Sequence, residues 1–321
     1  MHAIEVHGYG GTEVLTAVER PDPSPGPGEI TVDVVAAGVN YMDVYQRQGL
    51  SPFRPPLPFI AGNEGAGIVR EVSADVAGFL PGERVAWTGA LGGYATTAVV
   101  PAARALPVPA DLELETAAAV LLQGTTAQYL SASAYAVKPG DVAVVHAAAG
   151  GVGLLLTQMI TNRGGVVIAT TSAPEKSDLA RAAGAVATAG YDDFSSVVRR
   201  ETRDRGADVV YDSVGRVTFD QSLASLAPRG TLVLFGTSSG PVPPFDLQRL
   251  AATSAFITRP TLAHYAGTRQ ELVERGSEVL ASAANGSLTV RIGGRYDLAD
   301  AARAHADLEA RRTSGKLLLV P

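Results

Sequence analysis

The run Val142-Ala143-Val144-Val145-His146-Ala147-Ala148-Ala149-Gly150-Gly151-Val152-Gly153-Leu154-Leu155-Leu156 constrains the fold more than any other part of the chain. An apolar, β-branched segment stops, small residues follow without a break, and a second apolar segment begins. Ala148-x-Gly150-x-x-Gly153 stands in the frame G-x-G-x-x-G, with alanine in the first place. Small residues let the backbone turn tightly from a strand into a helix. They also let a pyrophosphate approach the main chain of Ala148, Ala149, Gly150, Gly151, Val152 and Gly153 at the helix N-terminus. Gly153 lets the helix lie close on its strand. A glycine triplet alone recurs in many loops, and the strand before and the helix after give this one its meaning.

The surrounding sequence keeps the same rhythm. Strands are expected at 142–147, 166–170, 185–188, 207–212 and 230–236, and helices near 152–163, 174–183, 193–204 and 217–227. Such alternation predicts an α/β fold, a doubly wound parallel sheet with helices on both faces, because each parallel crossover needs a helix. Ala183-Gly184 and Pro228-Arg229-Gly230 read as helix stops, and 254–258 as a sixth strand at the sheet edge. Residues 1–123 read as mostly β, with short segments at 3–6, 29–37, 67–72, 84–87 and 94–100 between glycines and prolines. The C-terminal part predicts an amphipathic helix at 268–285, a strand at 287–292, a helix from 298 to about 311 and an apolar strand at 316–320. That last strand suits the β-rich part. The expected organisation is therefore a substrate domain of residues 1–123 and 263–321, a cofactor domain of residues 124–262 inserted in it, and a cleft between them.

Composition narrows the function. A net charge of −6 without a basic block argues against nucleic-acid binding. No apolar run approaches the roughly 20 residues that span a membrane. The first residues lack a basic region followed by an apolar one, so a cytoplasmic location is expected. There are 0 cysteines, which excludes disulfides, thiolate metal sites and a cysteine nucleophile. Lysine occurs only at 138, 176 and 316, so each lysine is worth examining.

The end of the second strand of such a sheet selects the nicotinamide cofactor. An acidic side chain there binds a ribose 2′-hydroxyl and repels a 2′-phosphate. This chain reads Ile168-Ala169-Thr170-Thr171-Ser172-Ala173-Pro174-Glu175-Lys176, with no acid closing the strand. Ser172 supplies a hydroxyl, Lys176 a charge one turn into the helix, and Tyr191 a phenol after the third strand. These groups suit a dianionic phosphate, which favours NADPH over NADH.

The chain resembles the zinc-free quinone oxidoreductases of the medium-chain dehydrogenase/reductase superfamily, the group that includes zeta-crystallin. The resemblance covers nearly the whole chain. It rests on Ala36-Ala37-Gly38-Val39-Asn40-Tyr41-Met42-Asp43-Val44-Tyr45, Gly62-Asn63-Glu64-Gly65-Ala66-Gly67, the run from His146 to Gly153, and Val210-Tyr211-Asp212-Ser213-Val214-Gly215. Phe235-Gly236-Thr237-Ser238-Ser239-Gly240, Thr258-Arg259-Pro260 and Ser314-Gly315-Lys316 complete it. Where zinc enzymes of the superfamily carry G-H-E-x-x-G, this chain has Asn63 in place of the imidazole ligand, and no metal site is expected.

The resemblance implies a GroES-like β-rich catalytic domain with a Rossmann cofactor domain, NADPH as cofactor, a quinone as substrate and a homodimer. It places Asn40, Tyr41 and Tyr45 at the nicotinamide side. Asn40 and Tyr45 are the candidate donors to a quinone oxygen. Thr126, in Gln123-Gly124-Thr125-Thr126, sits at the entrance to the cofactor domain. Ala148 to Gly153 take the pyrophosphate, and Ser172, Lys176 and Tyr191 the 2′-phosphate. Ser213, Phe235, Ser238 and Ser239 approach the nicotinamide and its ribose, and Arg311 reaches the cofactor from the C-terminal segment. His146 reads as a hydrogen-bonded structural residue, Arg47 as a surface ion-pair former, and Glu64 as a buried carboxylate paired with an arginine. Two other functions fit the same residues: an NADPH-dependent enone or enal reductase, and a non-catalytic NADPH-binding protein with a structural or RNA-binding role. The apolar edge segment 254–258 argues for the homodimer independently, because an uncovered edge templates pairing.

Overall fold

The computed structural model describes residues 1–50 and 52–321. The chain forms two compact units, one of Met1–Thr125 with Ala266–Pro321 and one of Thr126–Tyr265.

The second unit is built on a six-stranded sheet, in the order Ala187–Ala189, Val166–Thr170, Val142–Val145, Ala207–Asp212, Leu226–Leu234, Phe256–Thr258. Every pairing in it is parallel. Val144, Val145, Val167, Ile168, Val209, Val210, Leu232 and Val233 are fully buried, as expected of strands covered on both faces. The helices Gly151–Asn162, Pro174–Ala182, Phe194–Thr202 and Phe219–Ala224 connect the strands. In chain order the strands run third, second, first, fourth, fifth, sixth, so the direction of winding reverses between Val142–Val145 and Ala207–Asp212. Pro228-Arg229-Gly230 does not stop a helix. It lies inside the strand Leu226–Leu234, where the register shifts and Arg229 takes φ +64°. The irregularity absorbs the proline, which has no N–H to give a sheet.

The first unit holds a seven-stranded and a three-stranded sheet. Its longest strand, Glu29–Val39, pairs antiparallel with Glu64–Val72, Thr97–Pro101 and the C-terminal strand Lys316–Val320. The C-terminal strand therefore belongs to this sheet. Trp87, Tyr94, Ile30, Val32, Val85 and Leu319 share its core. The expected strand at 287–292 is displaced: the strand is Ile292–Asp297, parallel to Lys316–Val320. Tyr94 precedes the strand Thr97–Pro101 and packs in the core. The helix Leu114–Tyr129 was not expected in a mostly β region. Ala117 to Leu121 and Gln123 to Tyr129, Gly124 included, are buried on every face, so no polar stripe marks a helical period. Among the described residues, no helix is long and apolar enough to cross a membrane.

Candidate functional site

The sequence-predicted residues of the second unit, apart from Thr126, stand just beyond the carboxyl ends of five neighbouring strands. Ala148 to Gly153 follow Val142–Val145, Ser172 and Lys176 follow Val166–Thr170, and Tyr191 follows Ala187–Ala189. Ser213 follows Ala207–Asp212, and Phe235, Ser238 and Ser239 follow Leu226–Leu234. Doubly wound sheets bind ligands at this edge, at the point where the winding reverses. Thr126 is buried within Leu114–Tyr129.

The glycine loop has a backbone path that tolerates little else. Ala147 takes φ +50°, a left-handed conformation uncommon for a residue with a side chain. Gly150 caps the helix Gly151–Asn162. A Cβ on Gly153 would lie 2.4 Å from the Ala147 carbonyl oxygen and 2.7 Å from the Ala148 Cα. Two of the loop's N–H groups are already used: Ala148 donates to Thr170 O at 3.0 Å and Gly150 to Ala147 O at 2.9 Å. The first-turn N–H groups of Gly151, Val152 and Gly153 have no acceptor within their helix, which is the usual condition for an anion cradle. Of the six N–H groups from Ala148 to Gly153, those of Ala148 and Gly150 are thus spent inside the protein.

Beneath the loop runs a buried row of polar side chains. The Asp212 carboxylate accepts from Val214 N–H at 2.8 Å, Gly215 N–H at 2.9 Å, the Thr218 hydroxyl at 2.8 Å and the Ser222 hydroxyl at 3.0 Å. Ser222 Oγ lies 2.8 Å from His146 Nε2, and His146 Nδ1 lies 2.8 Å from Thr170 Oγ1. His146 is fully buried against Phe194. It has the hydrogen-bonded structural character read from the sequence. Burial holds its imidazole below the usual pKa range, opposed by the Asp212 charge.

The first unit contains a larger polar cluster. Asn40 ends the strand Glu29–Val39 and opens the short helix Tyr41–Arg47. Its Nδ2 donates to Glu64 Oε1 at 2.8 Å and to Gly38 O at 3.2 Å, and its Oδ1 accepts from Gln123 Nε2 at 2.5 Å and Lys316 Nζ at 2.8 Å. Both amide hydrogens and both acceptor positions are thus occupied inside the protein. Asn40 has no donor left for a quinone oxygen in this arrangement, which corrects its expected catalytic role. Glu64 pairs with Lys316 rather than with an arginine, and its Oε2 accepts from Leu122 N–H at 3.1 Å. Arg47 is not on the surface either. It is buried and donates to both oxygens of Glu309, at 3.0 and 2.9 Å.

A second chain of bonds crosses this cluster. Arg47 Nη1 lies 3.4 Å from His305 Nδ1, His305 Nε2 lies 3.1 Å from the Tyr94 hydroxyl, and Tyr94 donates to Asp43 Oδ2 at 3.0 Å. Asp43 also accepts from Asn40 N–H at 2.8 Å and from Asn63 Nδ2 at 2.5 Å. Asn63 exchanges further amide bonds with Gln46. Asp43, Tyr94, His305 and Glu309 take part through partners far apart in the chain, which no spacing in the sequence connects. Beside the cluster, Tyr41 donates to Leu308 O at 3.2 Å, and the Tyr45 ring sits 6.2 Å from both Tyr41 and Phe53. Arg311 is exposed at φ +56°, just past the helix Ala301–Glu309.

Burial pushes the Asp43 carboxyl up to about 6, against its three donors and the Lys316 charge. A folded pKa above the ordinary 3.8 means that protonated Asp43 favours the fold, and that this contribution is lost as pH rises through about 6. The stability of the wild type relative to Asp43→Asn should therefore fall by about 3 kcal/mol between about pH 4 and pH 6. His305, held down to about 3 by burial and by Arg47, titrates in the opposite sense and cancels in the difference. Denaturant titrations of both proteins across this range test it, and a difference that stays flat or rises contradicts it.

Comparison with known proteins agrees with this architecture. The description "Alcohol dehydrogenase GroES-like domain" matches residues 26–110, and "Zinc-binding dehydrogenase" matches residues 151–278. Fold and matches together define a medium-chain dehydrogenase/reductase. A quinone oxidoreductase from Pseudomonas aeruginosa is 43% identical over 99% of both chains. The crystal structure of Escherichia coli quinone oxidoreductase complexed with NADPH is 40% identical, superposes with a TM-score of 0.97 and covers 100% of both chains. A 2-haloacrylate reductase from a Burkholderia species is 38% identical over 99% of this chain and 98% of its own. The chain belongs to the quinone oxidoreductase family of this superfamily and is an oxidoreductase.

Proposed function

We propose that the protein uses NADPH to reduce a quinone, without zinc. The observation that carries the cofactor reading is the strand end Thr170-Thr171-Ser172, which has no acid and is followed by Lys176, beside a glycine loop that leaves no room for a side chain at 153. Thr171 Oγ1 and Ser177 Oγ, 2.7 Å apart, brace this end. The first helical turn Gly151–Gly153 holds the pyrophosphate, and Ser172, Lys176 and Tyr191 hold the 2′-phosphate. Ser213, Phe235, Ser238 and Ser239 line the nicotinamide ribose, and Arg311 completes the cofactor contacts. Ser239 Oγ donates to Val214 O at 2.7 Å, which fixes the spacing of two of these loops. Bound NADPH supplies the hydride.

The metal-free reading rests on donor chemistry. The Asn63 amide is committed to Asp43 and Gln46, and its residue type is a poor zinc ligand. Among the described residues, no three His, Asp or Glu side chains are gathered as ligands. A quinone needs little polarisation, because reduction restores aromaticity. The chain's task is to hold the acceptor and exclude water. Tyr45 takes the role of donor to the quinone oxygen, and Asn40 that of a positioning group. Gln123 Oε1 and the Thr125 hydroxyl are buried without a partner among the described residues.

Lys176→Ala should weaken NADPH by about 10- to 100-fold, the value of a charge-assisted contact, and leave NADH almost unchanged. Fluorescence titration with both cofactors checks this, and equal losses would give Lys176 a structural role only. The 2-haloacrylate reductase at 38% identity favours a second reading, reduction of a conjugated carbonyl on the same site. A homodimer is also proposed. The strand Phe256–Thr258 pairs on one side with Leu226–Leu234, and Phe256 is 61% exposed. Light scattering should give twice the chain mass at micromolar concentration, and a monomer would remove the proposal.

A further inference from the structure

His146, Thr170 and Asp212 occupy one row across three adjacent parallel strands. Val145 is paired with Ala169 on one side and with Tyr211 on the other, so the next residue of each strand stands in line. The next residues after these three open the glycine loop at Ala147, the 2′-phosphate loop at Thr171 and the nicotinamide loop at Ser213. The row is therefore the last rung of the sheet before all three cofactor loops begin.

The bonds along the row have one direction. Asp212 can only accept, so the Ser222 hydrogen points to it. Ser222 Oγ then accepts from His146 Nε2–H, which leaves Nδ1 as the acceptor for the Thr170 hydroxyl. The sequence of donations is Thr170 to His146 to Ser222 to Asp212. The imidazole is neutral in this arrangement, in agreement with its complete burial. The carboxylate at the end also shapes the turn after it through Val214 and Gly215. All four side chains are fully buried.

We propose that His146, Thr170, Ser222 and Asp212 form a positioning relay that fixes the spacing of the three cofactor loops, and so serves the whole dinucleotide rather than either half of it. The proposal rests on the NADPH reading above. A ligand that bridges loops gains from their fixed separation, because its second half binds as if already tethered. A fragment that touches one loop gains nothing from that separation.

The test compares NADPH with adenosine 2′-monophosphate, which carries the 2′-phosphate and no part of the pyrophosphate, and so touches the 2′-phosphate loop alone. Ser222→Ala cuts the relay next to its carboxylate. NADPH affinity should fall by about 10-fold, while adenosine 2′-monophosphate affinity stays within about twofold of the wild type. Thr170→Val cuts the relay at its other end and should behave alike, and Thr170→Ser, which keeps the hydroxyl, should restore NADPH binding. If Ser222→Ala does not fold, the two Thr170 variants carry the comparison. Parallel losses for both ligands, or no loss for either, would overturn the relay. Wild-type protein that binds neither ligand would overturn the cofactor reading itself.

Discussion

Lys316→Met is expected to destabilise the first unit by about 3–5 kcal/mol, the cost of stranding a buried charge. The ammonium group is 3% exposed and its partner Glu64 is fully buried. Lys316 donates to Glu64 Oε1, to Asn40 Oδ1 at 2.8 Å and to Val39 O at 3.1 Å, so all three of its hydrogens are used. Burial holds its pKa below the usual lysine value, and the Glu64 carboxylate offsets only part of that shift. Methionine preserves the bulk and removes the charge. Glu64 then keeps only the Asn40 and Leu122 donors, and Asn40 loses one of its four anchors. A loss of this size is a large fraction of the stability of an ordinary domain. The double variant Lys316→Met, Glu64→Gln strands no charge and should recover most of the loss. Urea unfolding of the two single variants and the double variant gives the coupling directly. A Lys316→Met protein as stable as the wild type would show that the pair is dispensable.

Gly153→Ala is expected to weaken NADPH binding by about 100-fold and to cost about 1–3 kcal/mol of stability. The added methyl would meet the Ala147 carbonyl oxygen at 2.4 Å and two Ala148 backbone atoms at 2.7 and 2.8 Å. None of these is the movable end of a side chain. The relief available is a shift of the loop or of the helix, and either displaces the first-turn N–H groups. Gly150→Ala is the control, because its Cβ would meet only Ala147 O, at 3.2 Å. Its effect should be much smaller. Cofactor titration and thermal melting of both variants check the ordering, and wild-type binding by Gly153→Ala would contradict the assigned cradle.

The Rossmann unit was legible because its physics is local. Buried parallel strands read as continuous Val and Ile runs, each helix follows within a few residues, and Gly150 and Gly153 mark the turn. The strand Phe256–Thr258 emerged from the same rhythm. The helix Leu114–Tyr129 did not, since a helix buried all round has no polar face to reveal its period. The strand expected at 287–292 was misplaced because Ile292-Gly293-Gly294-Arg295 reads as a break, yet the parallel partner Lys316–Val320 holds it as a strand. The polar cluster of the first unit was legible only in fragments. Asn40, Asn63 and Glu64 stood out as single residues, and Lys316 stood out as one of three lysines. Their geometry depends on contacts such as Arg47 with Glu309 and Asn40 with Lys316, which no spacing rule connects. That is why Asn40 read as a donor to substrate, whereas the fold spends its whole amide on internal partners.

The reaction proposed for the protein is NADPH-dependent, metal-independent quinone reduction. Steady-state oxidation of NADPH and of NADH, measured in the presence of a chelator against quinones and 2-alkenals, tests it most directly. kcat/KM should be highest for NADPH with a quinone, fused-ring quinones should lead the series, and the chelator should change nothing. A higher kcat/KM for 2-alkenals than for any quinone would install the conjugated-carbonyl reading in its place. Preference for NADH, or activity lost on chelation, would contradict the site assigned here.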